Sequence, residues 1–343
     1  MILKFKVLVL ISLLFSSLLN AKTALDMVGR EVQIPKVANK VFSASPAMTI
    51  LLYALAPETM IGLNYRFMDI EKKFMLKDVA DLPVLGSFFA FSSQANLEKV
   101  LALSPDMVFI WDIVRKNGRY FEDTLQKFDI PIAYISQKSI PGMLDALENM
   151  GVFLKKEARA KELIAHAKRN LALVKKSVDA LKDKPRVRIY LAQGKNGLKT
   201  EAHGNMQAQI IPLAGGVNVH FDKSLKKGTA RNSKITLETL YKYDPDVIFV
   251  QDKAFYDSMK NLSTWRNLRA YKNKKIYFSP VSPFSWLSRP PSIMRFLGIL
   301  WMHKILYPEH FKVDMNKEIK SFYKLFLHFE LTDKQIKKLI KGE

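Results

Sequence analysis

Arginines and aromatic rings gather in this chain where loops follow short apolar, strand-like runs. Tyr65 and Arg66 come after the run 60–63, and Phe88, with Phe89 and Phe91, comes after 84–87. Trp111, Asp112 and Arg115 close or follow the run 107–111. In the second half His203 lies in Glu201-Ala-His-Gly-Asn205, Arg231 in a loop, and Trp286 and Arg289 in Phe284-Ser-Trp-Leu-Ser-Arg-Pro-Pro-Ser292. A guanidinium is a fixed fork of donors for carboxylates and catecholates, and flat rings stack on flat ligands. Loops at the carboxyl ends of parallel strands are where α/β sheets bind ligands. Tyr65, Arg66, Phe88, Trp111, Arg115, His203, Arg231, Trp286 and Arg289 are therefore read as lining a cleft for a flat, anionic, partly apolar ligand. For any one ring, core packing is the competing reading; Trp265 and Trp301, inside helix-like runs, are assigned to the core.

Signatures of covalent chemistry are missing. The chain has no phosphate loop with its lysine, no dinucleotide glycine fingerprint, no nucleophile elbow and no zinc-helix motif. It has no cysteine, hence no thiol nucleophile, disulfide or lipid-bearing cysteine. Six histidines are spread over 166–328 without a close pair. His203 is the one in a turn-rich run after a strand, which makes it the candidate metal ligand. The reading is a binding protein, not an enzyme, with no intrinsic cofactor.

The elements that must hold these loops are announced by a duplication. Residues 97–112 reappear as 237–252, 140 residues later and without a gap, keeping Leu, Glu, Pro, Asp, Phe and the terminal Asp. Each copy reads as a short helix, a Pro-Asp turn and a buried strand, with Asn96 and Thr236 as N-caps. That separation is too long for a solenoid, whose period is roughly 20–50 residues. It implies two equivalent α/β lobes with parallel sheets, since strands and helices alternate in both halves. Between them, 156–182 contains no Gly or Pro and carries apolar residues at helical spacing, so one long helix of roughly 40 Å joins the lobes. The expected division is a signal peptide at 1–21, a lobe at 22–155, the helix at 156–184, a second lobe at 185–310 and a peripheral helical tail at 311–343. A small hairpin is expected at 26–35, and a helix at 206–214.

Residues 1–21 have a basic start, an apolar run and a small-residue end, the layout of a secretory signal peptide. With 48% hydrophobic residues the rest supports real cores. The net charge of +22 comes from scattered lysines without an Arg-rich block, which reads as a solvated basic surface that favours anionic ligands and does not call for nucleic acid.

Taken together, the chain resembles the substrate-binding proteins of ABC importers that have a single helical backbone between lobes and take up ferric siderophores, haem, cobalamin and nickel or cobalt chelates. The likeness is carried by Asp-x-x-Gly-Arg-x-Val-x-Ile-Pro at 26–35, the long helix, Ala214-Gly-Gly-Val-Asn218, both repeats and Ser285-Trp-Leu-Ser-Arg-Pro-Pro-Ser292, and runs most closely to the CeuE-type branch. The resemblance implies a periplasmic monomer that holds a metal chelate, of nickel or iron, and docks on a membrane permease through one surface glutamate per lobe. The matching positions are Glu98 and Glu238. Two alternatives stay open: a periplasmic enzyme acting on a chelate, and a basic protein that binds lipid or nucleic-acid surfaces.

Overall fold

The computed structural model describes residues 22–88, 95–115, 119–222, 224, 232–259 and 261–343. The expected signal peptide, Phe89, Phe91 and Arg231 lie outside the described residues.

Its strands are β1 (Thr23–Leu25), β2 (Glu31–Gln33), β3 (Val41–Ser43), β4 (Met107–Trp111), β5 (Ile132–Ile135), β6 (Arg188–Ala192), β7 (Lys199–Thr200), β8 (Val217–Asn218), β9 (Ser233–Lys234), β10 (Val247–Val250) and β11 (Ile276–Phe278). The helices of six residues or more are α1 (Pro46–Leu55), α2 (Leu97–Ala102), α3 (Arg119–Gln126), α4 (Gly142–Leu154), α5 (Glu157–Ala180), α6 (Leu237–Tyr243), α7 (Lys253–Met259), α8 (Met294–Leu306), α9 (Met315–Leu327) and α10 (Asp333–Lys341). A hairpin forms, but earlier than 26–35: β1 and β2 pair antiparallel over 23–33, and residues 26–30 are the turn between them.

The two repeats lie in separate sheets with the same topology. In the first lobe the order is β3-β4-β5, all parallel, and bridges Val41–Met60 and Leu63–Val84 extend it beyond β3. In the second the order is β8-β6-β10-β11, again parallel. The repeated strands β4 and β10 are central and buried along their length, as their unbroken apolar runs require. The Pro-Asp turn does the same job twice. Asp106 accepts from Asn39 N and Lys40 N (2.9 Å each) and donates its own N–H to Lys40 O. Asp246 accepts from Arg188 N (2.9 Å) and donates to Arg188 O. Each aspartate thus pins the start of the neighbouring strand and fixes register. Ser104 and Asp244, just before the two prolines, both hold positive φ (49° and 36°). The N-caps also match: Asn96 accepts from Lys99 N (2.9 Å) and Thr236 from Thr239 N (3.1 Å).

Helix α5 has 24 residues, about 36 Å at 1.5 Å each. Its buried stripe, Ala160, Leu163, Ala167, Asn170 and Val174, packs on α4 of the first lobe and α8 of the second. The tail departs from expectation. Helix α9 is no peripheral appendage: Ile319, Phe322, Tyr323 and Phe326 are fully buried, and it packs on α1 of one lobe and α8 of the other. Tyr53 donates to Leu327 O (2.7 Å), the Tyr323 hydroxyl donates to Ser282 O, and Arg169 of α5 pairs with Glu318. Two helices, not one, therefore tie the lobes. The lysines of α9 occupy one face and mask an apolar face that a composition reading undervalues. The helix expected over 206–214 is shorter, confined to Ile210–Leu213, with turns before it.

Candidate ligand-binding cleft

Loops after the strands of one lobe meet loops after the strands of the other. Gln209 of the second lobe accepts from Ile140 N (3.1 Å) and donates to Lys138 O (3.0 Å), both just beyond β5. Ser282, beyond β11, donates to Ile70 O (2.7 Å), and Phe67 packs edge-on against Phe284 with centroids 5.8 Å apart. These contacts define a seam between the carboxyl ends of the two sheets.

On the first-lobe wall, β3 runs into Ser45 and the first turn of α1. Pro46 takes the first helical position, where its missing N–H costs nothing. Ser45 is 1% exposed, and its hydroxyl neither caps the helix nor meets any other partner. Gln137, beyond β5, donates to Ala47 O (3.2 Å). Asn64 donates to Ser43 O and Gly86 O and stiffens the base of this turn. Asp112 ends β4 with its carboxylate buried and paired to Lys138 at 2.7 Å.

On the second-lobe wall, Glu201 is fully buried yet richly solvated by protein. It accepts a two-pronged pair from Arg289 (Nε 2.7 Å, Nη2 3.1 Å), and bonds from Asn205 (2.8 Å) and Gln193 (3.2 Å). Gln193 also donates to Ser288 (2.8 Å). Arg295, in the first turn of α8, is 1% exposed and donates Nη2 to Met206 O (2.9 Å). Burial pulls its guanidinium down to about 9, against a smaller opposing pull from Glu201.

Arg66, Arg115, His203 and Arg289 are exposed at strand-following loops. The His203 ring stacks on exposed Phe221, centroids 4.4 Å apart and planes 15° apart. Arg115 lies over the Tyr134 ring at 5.8 Å. Tyr65 is half-buried and donates its hydroxyl to Glu71 (3.2 Å); burial raises its pKa, with the Glu71 charge adding to the effect. Trp111 is buried at the end of β4. Two assignments need correction. Trp286 has no exposed surface: it packs edge-on against Trp301 and beside Tyr323, under α8 and α9. Phe88 is stacked on Phe121 at 3.9 Å within the first lobe's core. Trp265 and Trp301 are core, as expected. Among the described residues no group of three or more His, Cys, Asp or Glu could hold a metal ion.

Sequence reading missed Glu201, Asn205, Phe221, Ser45 and Arg295. Glu201 and Asn205 flank His203 in the run already singled out, but nothing in that run announces a buried carboxylate. Glu98 and Glu238 are exposed in the first turns of α2 and α6, and Glu238 pairs with Lys242 at 2.7 Å.

Two equivalent lobes on a helical backbone, meeting at a seam of strand-end loops, define a two-lobed solute-binding protein. A family model described as periplasmic binding protein matches residues 91–282, more than half of the chain, and the chain belongs to that family. It is 30% identical to an ABC transporter solute-binding protein from Sulfurospirillum deleyianum, with a TM-score of 0.84 covering 93% of this chain and 99% of that one. It is 24% identical to the molybdate-binding protein MolA of Haemophilus influenzae over 92% of this chain and 93% of that protein. It is 27% identical to the iron-uptake system-binding protein of Bacillus subtilis, over 70% and 73% of the two chains. Members serve ABC importers outside the cytoplasm, and no helix among the described residues is long and apolar enough to cross a membrane.

Proposed function

We propose that this binding protein captures a metal chelate, of nickel or of ferric iron with a siderophore, in the seam between its lobes and delivers it to an ABC importer permease. The observation that supports the reading is a set of exposed cations and rings on strand-following loops of both lobes: Arg66 and Arg115 in one, Arg289 and the His203–Phe221 stack in the other. Guanidinium forks suit the carboxylate or catecholate oxygens of a chelator, and the stacked imidazole–phenyl pair offers a flat apolar face. The names of two relatives, an iron-uptake system-binding protein and a molybdate-binding protein, support a metal-containing cargo. In this reading His203, exposed on its loop, enters an open coordination place of the metal in the bound chelate. Glu98 and Glu238, exposed at equivalent points of the two lobes, suit a permease with twofold symmetry. The mature protein acts as a monomer in the periplasm after loss of residues 1–21.

Native mass spectrometry with metal analysis of the protein taken from its own periplasm tests this reading. A bound metal together with an organic chelator is expected; a metal-free organic solute would refute it.

A further inference from the structure

Buried donors without acceptors flank the seam in both lobes. In the first, α1 starts with Pro46, which has no N–H. Ala47 and Met48, at 2% and 0% exposure, have no intrahelical acceptor for theirs. The first turn contains no acidic residue, and the Ser45 hydroxyl at its head is buried and unbonded. In the second, Arg295 makes one hydrogen bond, and its Nε is buried without an acceptor. Among the described residues its neighbouring counter-charge is Glu201, which already accepts from both prongs of Arg289. Two guanidinium groups thus share one carboxylate. The two donor sets are linked by a short chain of contacts: Arg295 to Met206, Gln209 three residues on to Lys138 and Ile140, and the adjacent Gln137 to Ala47. On the first-lobe wall Asp112 pairs through one carboxylate oxygen with Lys138, and its other oxygen is buried without a hydrogen-bond partner.

We propose that the ligand presents a small, fully ionised oxyanion to this seam, held by Ser45 and the first turn of α1 from one lobe and by Arg295 from the other. The inference rests on the reading above that the seam is the binding cleft. A helix N-terminus and a guanidinium both favour an oxyanion, and both gain strength where water is excluded. A carboxylate of an organic chelator and a metal-oxo anion share this chemistry. The arrangement also explains why a costly buried cation is kept: binding supplies the partner that the empty protein lacks.

The test is calorimetric titration of the purified protein with sodium molybdate, ferric citrate and, as a cation control, nickel chloride. Arg295→Met and Ser45→Ala are compared with the parent. Binding of molybdate or ferric citrate is expected, and which one binds identifies the source of the oxyanion. Arg295→Met should weaken it by about 100-fold and Ser45→Ala by about 10-fold, the range for hydrogen bonds to a charged group. Without ligand, Arg295→Met should melt no lower than the parent, because it removes a desolvated charge. The proposal is overturned if neither anion binds, or if anion affinity is unchanged in both variants. It also fails if Arg295→Met melts far lower while Ser45→Ala binds normally, which would make Arg295 structural. Nickel binding without anion binding would sink this proposal and leave the metal-uptake reading standing.

Discussion

The two lobes share a frame and differ in what stands on it. Both place the duplicated helix, turn and strand alike, down to the aspartate that pins the adjacent strand. At the strand ends they part company. The first lobe offers backbone donors and small hydroxyls around Ser45, while the second offers a carboxylate, Glu201, wrapped by side-chain donors and two arginines. Their outer faces differ too: Glu238 is held by Lys242, whereas Glu98 has Ala102 at the equivalent helical spacing. Duplication has kept what positions the lobes, together with the two glutamates proposed to dock them, and the walls of the seam have diverged. Constraint therefore sits in the frame and specificity in the loops.

The sharpest way to break this comparison is to attack the conserved half. Replacing Glu98 and Glu238 together by lysine should abolish uptake in cells and leave ligand affinity of the purified protein unchanged. Of the single changes, Glu98→Lys should cost more transport, since its carboxylate is free of a helical lysine partner. Loss of ligand binding in the double variant would remove the docking role.

The diverged half predicts the next largest effect. Glu201→Leu leaves Arg295 buried without its counter-charge and should lower stability by about 3 kcal/mol in urea unfolding. That is the low end for breaking a buried pair, because Arg289 can turn to solvent. An equal loss from substituting Asp112, whose partner Lys138 is exposed, would erase the contrast between the walls.

The smallest effect belongs to the second lobe and to the two helices that tie the lobes. Burial holds His166, His220, His303 and His328 below the ordinary 6.5. The unfolded chain then binds protons that the folded chain refuses, so stability is full above about 6.5 and falls as pH drops below it. Melting temperature should decline between pH 7 and 5; a rise on acidification would contradict this assignment.

Periodicity and repetition made the frame legible. Both repeats, their caps and α5 follow from apolar spacing, Asn96 and Thr236, and a Gly- and Pro-free run, because each signal is local. The tail and the walls were not legible, because they depend on long-range packing. Phe322, Tyr323 and Phe326 sit among lysines, and their burial is decided by α1 and α8. Trp286 occupies a loop and reads as a ligand contact until α8 is laid over it; Gly298 allows that approach, where a Cβ would come within 2.0 Å of Trp286 O. Arg295 is hidden for the opposite reason, a cation inside the apolar run Met294–Leu306 that looks like a helix flank.

That one cargo is gripped from both sides of the seam is tested most directly by hydrogen exchange of the protein with and without the ligand that accompanies it from the periplasm. Protection should rise together at 45–48 in the first lobe and at 201–209 and 289–295 in the second. Protection confined to one lobe, or to the outer faces around Glu98 and Glu238, would contradict the account.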